Sequence, residues 1–215
     1  MKIVIGLAHH GPDRNRLMNT LMSFGTQADY IWLYDNNSQK EDLTDNGKFF
    51  GLSQTNEPCY YFSCDSDLYY PDDYVEKTIE QIEIYGCIVS YHGRKLRGPG
   101  LDYYHEHYGY PFNKELKKDV LIDVAGTGVT AFRTDYFNPK NIAFSEYKRM
   151  SDLVFSLEAA KQSKRIICLA HTKDWILQQE VPKEETIMWT EKNNCFIQNK
   201  LADEIWEYKK NITGY

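Results

Sequence analysis

Short apolar runs alternate with stretches of helical spacing along most of this chain. Residues 2–7 read as a buried strand, and Leu17, Met18, Leu21 and Phe24 recur at the spacing of a helix over 13–24, which Gly25 ends. A second apolar run, 30–34, closes on Asp35-Asn36-Asn37-Ser38, a set of residues that favours turns. The polar stretch 39–57 predicts a short helix and a loop. A third strand, 59–64, runs straight into Asp65-Ser66-Asp67. Asp72 and Asp73 then open a helix whose dipole favours acids, with Val75, Ile79 and Ile82 inward and Gly86 as its cap. A fourth strand covers 87–91, and from 92 to 118 the pattern dissolves into Gly, Pro, Tyr and His. It returns with strands at 120–124, 129–133 and 165–169, a helix over 151–162 and another near 200–210. Strands alternating with helices predict an α/β sheet covered on both faces. Ligands of such sheets bind beyond the carboxyl ends of the strands, where Asp35 and Asp65 both lie.

Composition narrows the functional classes. With 215 residues, 42% hydrophobic and 14% aromatic, the chain can bury one sizeable core, so a single domain is expected. A net charge of −6 argues against a nucleic-acid partner, and the basic run Arg94-Lys95-Leu96-Arg97 reads as a solvated loop. No stretch approaches the roughly 18 apolar residues of a membrane span, and the start lacks the apolar core of a signal peptide. Five cysteines, an odd number without metal-type spacing, predict free thiols in a reducing, cytoplasmic compartment. There the sequons at Asn36 and Asn211 carry no glycan.

Three segments carry candidate chemistry. Asp65 and Asp67, spaced i, i+2 where a buried strand emerges, can hold a hard divalent cation through oxygen ligands, and a phosphate-bearing substrate is its natural partner. Gly126-Thr127-Gly128 permits close backbone approach to a sugar or forms a tight turn; without a third glycine it is no dinucleotide fingerprint. The tyrosine-rich segment 103–110 suits sugar stacking as a lid, or packs on the domain body, and His105 and His107 have a spacing open to metal.

Taken in order, Asp35-Asn36-Asn37-Ser38, Asp65-Ser66-Asp67 with Tyr70-Pro71-Asp72-Asp73-Tyr74, Gly126-Thr127-Gly128 before Phe132-Arg133, and Ser151-Asp152-Leu153 resemble the GT-A-fold nucleotide-sugar glycosyltransferases, in particular family-2-like members. The resemblance covers most of residues 2–175 and rests on order and spacing, each motif being loose alone. It implies a Rossmann-like, mixed but mostly parallel central sheet flanked by helices. Residues 1–91 would form the nucleotide-binding part, 92–182 the acceptor and catalytic part, and 183–215 a helical tail.

The resemblance also implies roles. Asp35 would accept a hydrogen bond from the uracil imide, unless it only caps the turn. His9, His10 and Arg14 would enclose the base and diphosphate, with Arg14 on phosphate oxygens or merely exposed on its helix. Asp67 would ligate Mn²⁺ or Mg²⁺ directly, Asp65 would contact the ribose or a metal-bound water, and His171 would complete the site, its imidazole favouring Mn²⁺ over Ca²⁺. Gly126 and Thr127 would lie against the sugar. Asp152 would be the base, with Ser151 replacing the family's glutamate and capping the helix so that the dipole keeps Asp152 ionised. The implied activity is inverting transfer of a hexosyl unit from a UDP-sugar to a glycan or glycoprotein hydroxyl, with no nucleic acid or membrane partner and room for further domains. Two rivals share the chemistry. A haloacid-dehalogenase-type phosphohydrolase also uses Asp-x-Asp, but after its first strand and with Thr or Val where Tyr69 stands. A non-catalytic glycan-binding module would use the tyrosines alone. A nucleotidylyltransferase would need a glycine-rich, arginine-containing amino-terminal loop, which the sequence lacks.

Overall fold

The computed structural model describes residues 1–139, 141–182 and 195–210; the Asn211 sequon and the 183–194 part of the expected tail lie outside the described residues. β1 (Lys2–His9), α1 (Arg14–Phe24) and β2 (Tyr30–Asp35) lead into a 3-10 segment, Thr44–Phe49, and the short α2 (Phe50–Gln54). There follow β3 (Cys59–Asp65), β4 (Leu68–Tyr69), α3 (Tyr74–Tyr85), β5 (Ile88–Ser90), β6 (Gly93–Leu96) and β7 (His107–Tyr110). Three more strands, β8 (Val120–Ile122), β9 (Val124–Ala125) and β10 (Val129–Arg133), precede α4 (Ser151–Lys161), β11 (Ile166–Cys168), β12 (Leu177–Gln178) and α5 (Phe196–Lys209).

Among the described residues, seven strands form the central sheet in the order β2-β1-β3-β10-β5-β11-β8. β10 and β8 oppose their neighbours while the other five strands share one direction, so the sheet is mixed and mostly parallel, as expected. β1, β3, β5 and β10 are largely buried because both faces of the sheet are covered there, whereas the edge strand β2 is mostly exposed. On β3, Tyr61 packs to one side with Phe132 and Phe155, and Phe62 to the other with Ile5 and Val89. Asp13 starts α1 by accepting the Asn15 and Arg16 N–H groups at 3.0 and 3.2 Å, and Gly25 ends it at φ 52°. The five cysteines are free thiols, four of them buried.

The sequence pattern misjudged residues 92–125. The run 120–124 is not one strand, since it breaks at Asp123: β8 stays in the central sheet, and β9 joins β6 and β7 in a three-stranded sheet. Asp123 is buried, accepts the Leu96 N–H at 2.6 Å and takes Lys209 Nζ of α5 at 3.1 Å on both oxygens. Burial pushes the Asp123 carboxyl above its ordinary value and the Lys209 ammonium below its own, so each needs the other to remain charged. Asp123→Asn should lower stability by about 2 kcal/mol, because a buried charge-assisted pair is lost while one acceptor survives. An unchanged urea midpoint would show that the pair does not anchor α5.

Candidate functional site

β1 and β3 run parallel with Ala8 beside Asp65, so their carboxyl ends open together. They feed a cleft of about 980 Å³ lined by His9, Asp65, Ser66, Asp67, Arg94 and Asp152, among others. The Asp65-Ser66-Asp67 loop is braced from below: the buried Tyr70 hydroxyl accepts the Asp65 N–H at 2.9 Å and donates to the Gly128 carbonyl at 2.6 Å. Gly128 is needed here, since a Cβ would stand 2.0 Å from Asp65 Oδ2.

The two carboxylates have unlike surroundings. Asp65 Oδ1 accepts from the Lys48 ammonium, which is only 3% exposed. That lysine comes from the polar stretch 39–57, for which a short helix and a loop are expected. Gly6 lets the 3-10 segment lie against β1, where the Tyr61 hydroxyl donates to the Lys48 carbonyl at 2.7 Å and fixes the residue. Burial would lower the Lys48 pKa, but the charges of Asp65, Asp45 and Asp152 outweigh it and raise it. Asp67 has no such cation. Partial burial and the Asp65 charge push its carboxyl up to about 6, against a 2.9 Å bond from Gln178 Nε2 and the more distant Lys48 charge.

Asp152 stands in the first turn of α4 and is one-third exposed. Its Oδ1 accepts both the Thr127 N–H at 2.8 Å and the Thr127 hydroxyl at 2.7 Å, and Oδ2 lies 4.0 Å from Arg94 Nη1. Ser151 does not cap the helix. The cap position is Met150, and the free Ser151 N–H is taken by the Asp45 carboxylate at 3.0 Å, while the Ser151 hydroxyl meets Thr127 Oγ1 at 2.8 Å. The segment carrying Lys48 therefore also holds the start of α4.

Other expected residues fall elsewhere. Arg14 and Asp35 are not on the cleft wall; they pair with each other at 2.7 Å. Partial burial would raise the Asp35 carboxyl, yet Arg14 and Asn37 together hold it below its ordinary value. His9 is buried on the wall with Nδ1 3.4 Å from Ser66 Oγ; burial and the Arg14 charge hold its imidazole below the usual value. Gly126 and Thr127 lie behind the wall, where Gly126 abuts the His92 ring and Thr127 is fully buried. His171 is also off the wall: its Nδ1 pairs with the Leu169 carbonyl at 2.7 Å, its ring meets Tyr91, and Nε2 is buried. His105 and His107 are held apart, on Asp102 and on the Tyr103 carbonyl. The basic run is no loop, since Arg94 on β6 reaches the cleft and lies on Tyr103.

No family model matches the sequence, and no curated protein does. Among solved structures, the crystal structure of A197 from STIV aligns with 85% of this chain and 96% of its own, at 12% identity and a TM-score of 0.42. The site is therefore read from its own geometry.

Among the described residues, no three His, Cys, Asp or Glu side chains converge as a metal cage. What the site offers is a repelling carboxylate pair with Asp67 left unneutralised. Such a donor set fits a hard cation that keeps most of its shell as water and substrate phosphate. With His171 elsewhere, the set is all oxygen and the imidazole argument for Mn²⁺ lapses; Mg²⁺ and Mn²⁺ suit it equally.

Proposed function

We propose that this chain is a metal-dependent glycosyltransferase moving a hexosyl unit from a UDP-sugar to a hydroxyl of a glycan or glycoprotein acceptor, with inversion. The observation that carries this reading is the convergence, on one cleft at the strand ends, of an unneutralised carboxylate, Asp67, and a separately held carboxylate, Asp152. Asp67 would hold the cation, with Asp65 in support. When bound, the cation neutralises charge on the leaving diphosphate. Asp35 would turn to the uracil and Arg14 to phosphate oxygens, exchanging their mutual contact for the nucleotide. Thr127 fixes one oxygen of Asp152, leaving Oδ2 to take the proton of the attacking hydroxyl. No described helix is long and apolar enough to cross a membrane.

Calorimetry of UDP with and without Mg²⁺ or Mn²⁺, followed by a hydrolysis panel of UDP-sugars, tests the reading. Binding that ignores the metal would refute it, and phosphate release from small phosphoesters would favour the phosphohydrolase. Asp67→Ala should remove the metal dependence of UDP binding. Protons and cation compete for Asp67, so metal-dependent affinity should fall as pH drops through about 6, by about tenfold per unit if one proton is displaced. A flat affinity between pH 7 and pH 5 would take Asp67 out of the metal site.

A further inference from the structure

Arg94 is underused by the protein around it. Its guanidinium lies over the Tyr103 ring, 4.7 Å from the centroid, with Nη1 donating to the Tyr103 hydroxyl. Asp152 Oδ2, at 4.0 Å, is too far for a hydrogen bond. A guanidinium carries five N–H donors. Among the described residues no further acceptor meets them, although the side chain is only 19% exposed. None of its nitrogens is both sealed from solvent and unpaired, and Arg94 lines the cleft. A largely desolvated, permanently charged fork held flat by an aromatic ring is matched to the two oxygens of a carboxylate or phosphate.

Its position decides which substrate it meets. In an inverting displacement the base and the leaving diphosphate stand on opposite faces of the anomeric carbon. A cation beside the base therefore addresses the acceptor. Resting on the assignment of Asp152 as base, we infer that the acceptor is an acidic sugar whose carboxylate or phosphate docks on Arg94. The neighbouring hydroxyl gives its proton to Asp152 Oδ2, and its oxygen bonds to the anomeric carbon. The bond from that carbon to the diphosphate oxygen breaks, and its electron pair leaves with UDP. Arg16, Lys48 and Arg149 line the same cleft but are engaged, Arg16 with Asp13 and Lys48 with Asp65, which leaves the Arg94 fork as the docking cation.

The test is binding to the full chain saturated with UDP and Mg²⁺, followed by ligand-observed NMR. The probes are methyl glucuronoside, glucose 6-phosphate and the neutral methyl glucoside. At least one acid should bind about tenfold more tightly than the neutral glycoside, and the stronger acid identifies the anionic group. Arg94→Met should erase the preference; Arg94→Lys, which keeps the charge without the fork, should retain only part of it. Equal binding of acids and neutral sugar by the wild type, or a preference that survives Arg94→Met, overturns the inference. The wild-type comparison stands even if the variants fail to fold. A wild type that does not bind UDP with Mg²⁺ brings down the glycosyltransferase reading and this inference with it. Metal-dependent UDP binding without acid preference brings down the inference alone.

Discussion

Asp152→Asn is expected to keep metal-dependent UDP binding and to lose sugar transfer by roughly 10²–10⁴-fold, the usual worth of a positioned general base. The substitution is close to isosteric. Asparagine Oδ1 can still accept the two Thr127 donors that hold the native carboxylate, so the start of α4 should stay in place. What disappears is the proton acceptor on Oδ2 and the charge facing Arg94. The effect should therefore fall on kcat with an acceptor present, while calorimetric UDP affinity changes little. Near-normal turnover on a genuine acceptor would mean that another group takes the proton.

Lys48→Met should be strongly destabilising. Methionine fills the same space, so the loss is almost wholly electrostatic. The ammonium is buried, and its removal leaves Asp65 without its cation and takes away a charge that also offsets Asp45 and Asp152. Breaking a buried pair on one side costs about 3–5 kcal/mol. Asp65 is partly exposed, which screens some of the loss and favours the lower figure. For a chain of this size that is a fall in melting temperature of roughly 6–12 °C. Because Lys48 has its pKa raised above 10.5, its contribution is fully present at neutral pH and fades only as alkaline pH passes the folded value. Two partial rescues should follow: added Mg²⁺, and Asp65→Asn in the same chain. A variant that melts within a degree or two of the wild type would remove Lys48 from the account.

The parts that the sequence revealed and those it hid differ in physical kind. β1, β3 and β10 are buried on both faces, so their apolar runs show without knowledge of neighbours. The Asp65-Ser66-Asp67 loop shows because it ends such a run. Lys48 left no comparable trace: a buried lysine looks like a solvated one until Asp65 and Asp152, from other parts of the chain, are folded against it beside the neighbouring Asp45. The Phe-Phe-Gly-Leu run that follows it was the available hint of burial. β6, β7 and β9, two to four residues long and mixed in polarity, have too little periodicity to register. His171 was placed correctly after β11, but ring direction is set by the Leu169 carbonyl, which residue order does not encode. Ser151 had the composition of a cap, and Asp45 does the capping from more than a hundred residues away.

The position of β10 has a bearing on how this molecule can be taken apart. It lies between β3 and β5, although it follows both in the chain. A fragment stopping near residue 91 would keep β1, β2, β3 and β5 but lose the strand that joins β3 to β5. Its β5 would be stranded, and the exposed β3 edge would be a template for aggregation. The complementary fragment would lack the Asp45 carboxylate that receives the first N–H of α4. The two halves are therefore not exchangeable modules, and chimeras should be built by replacing loops on an intact sheet.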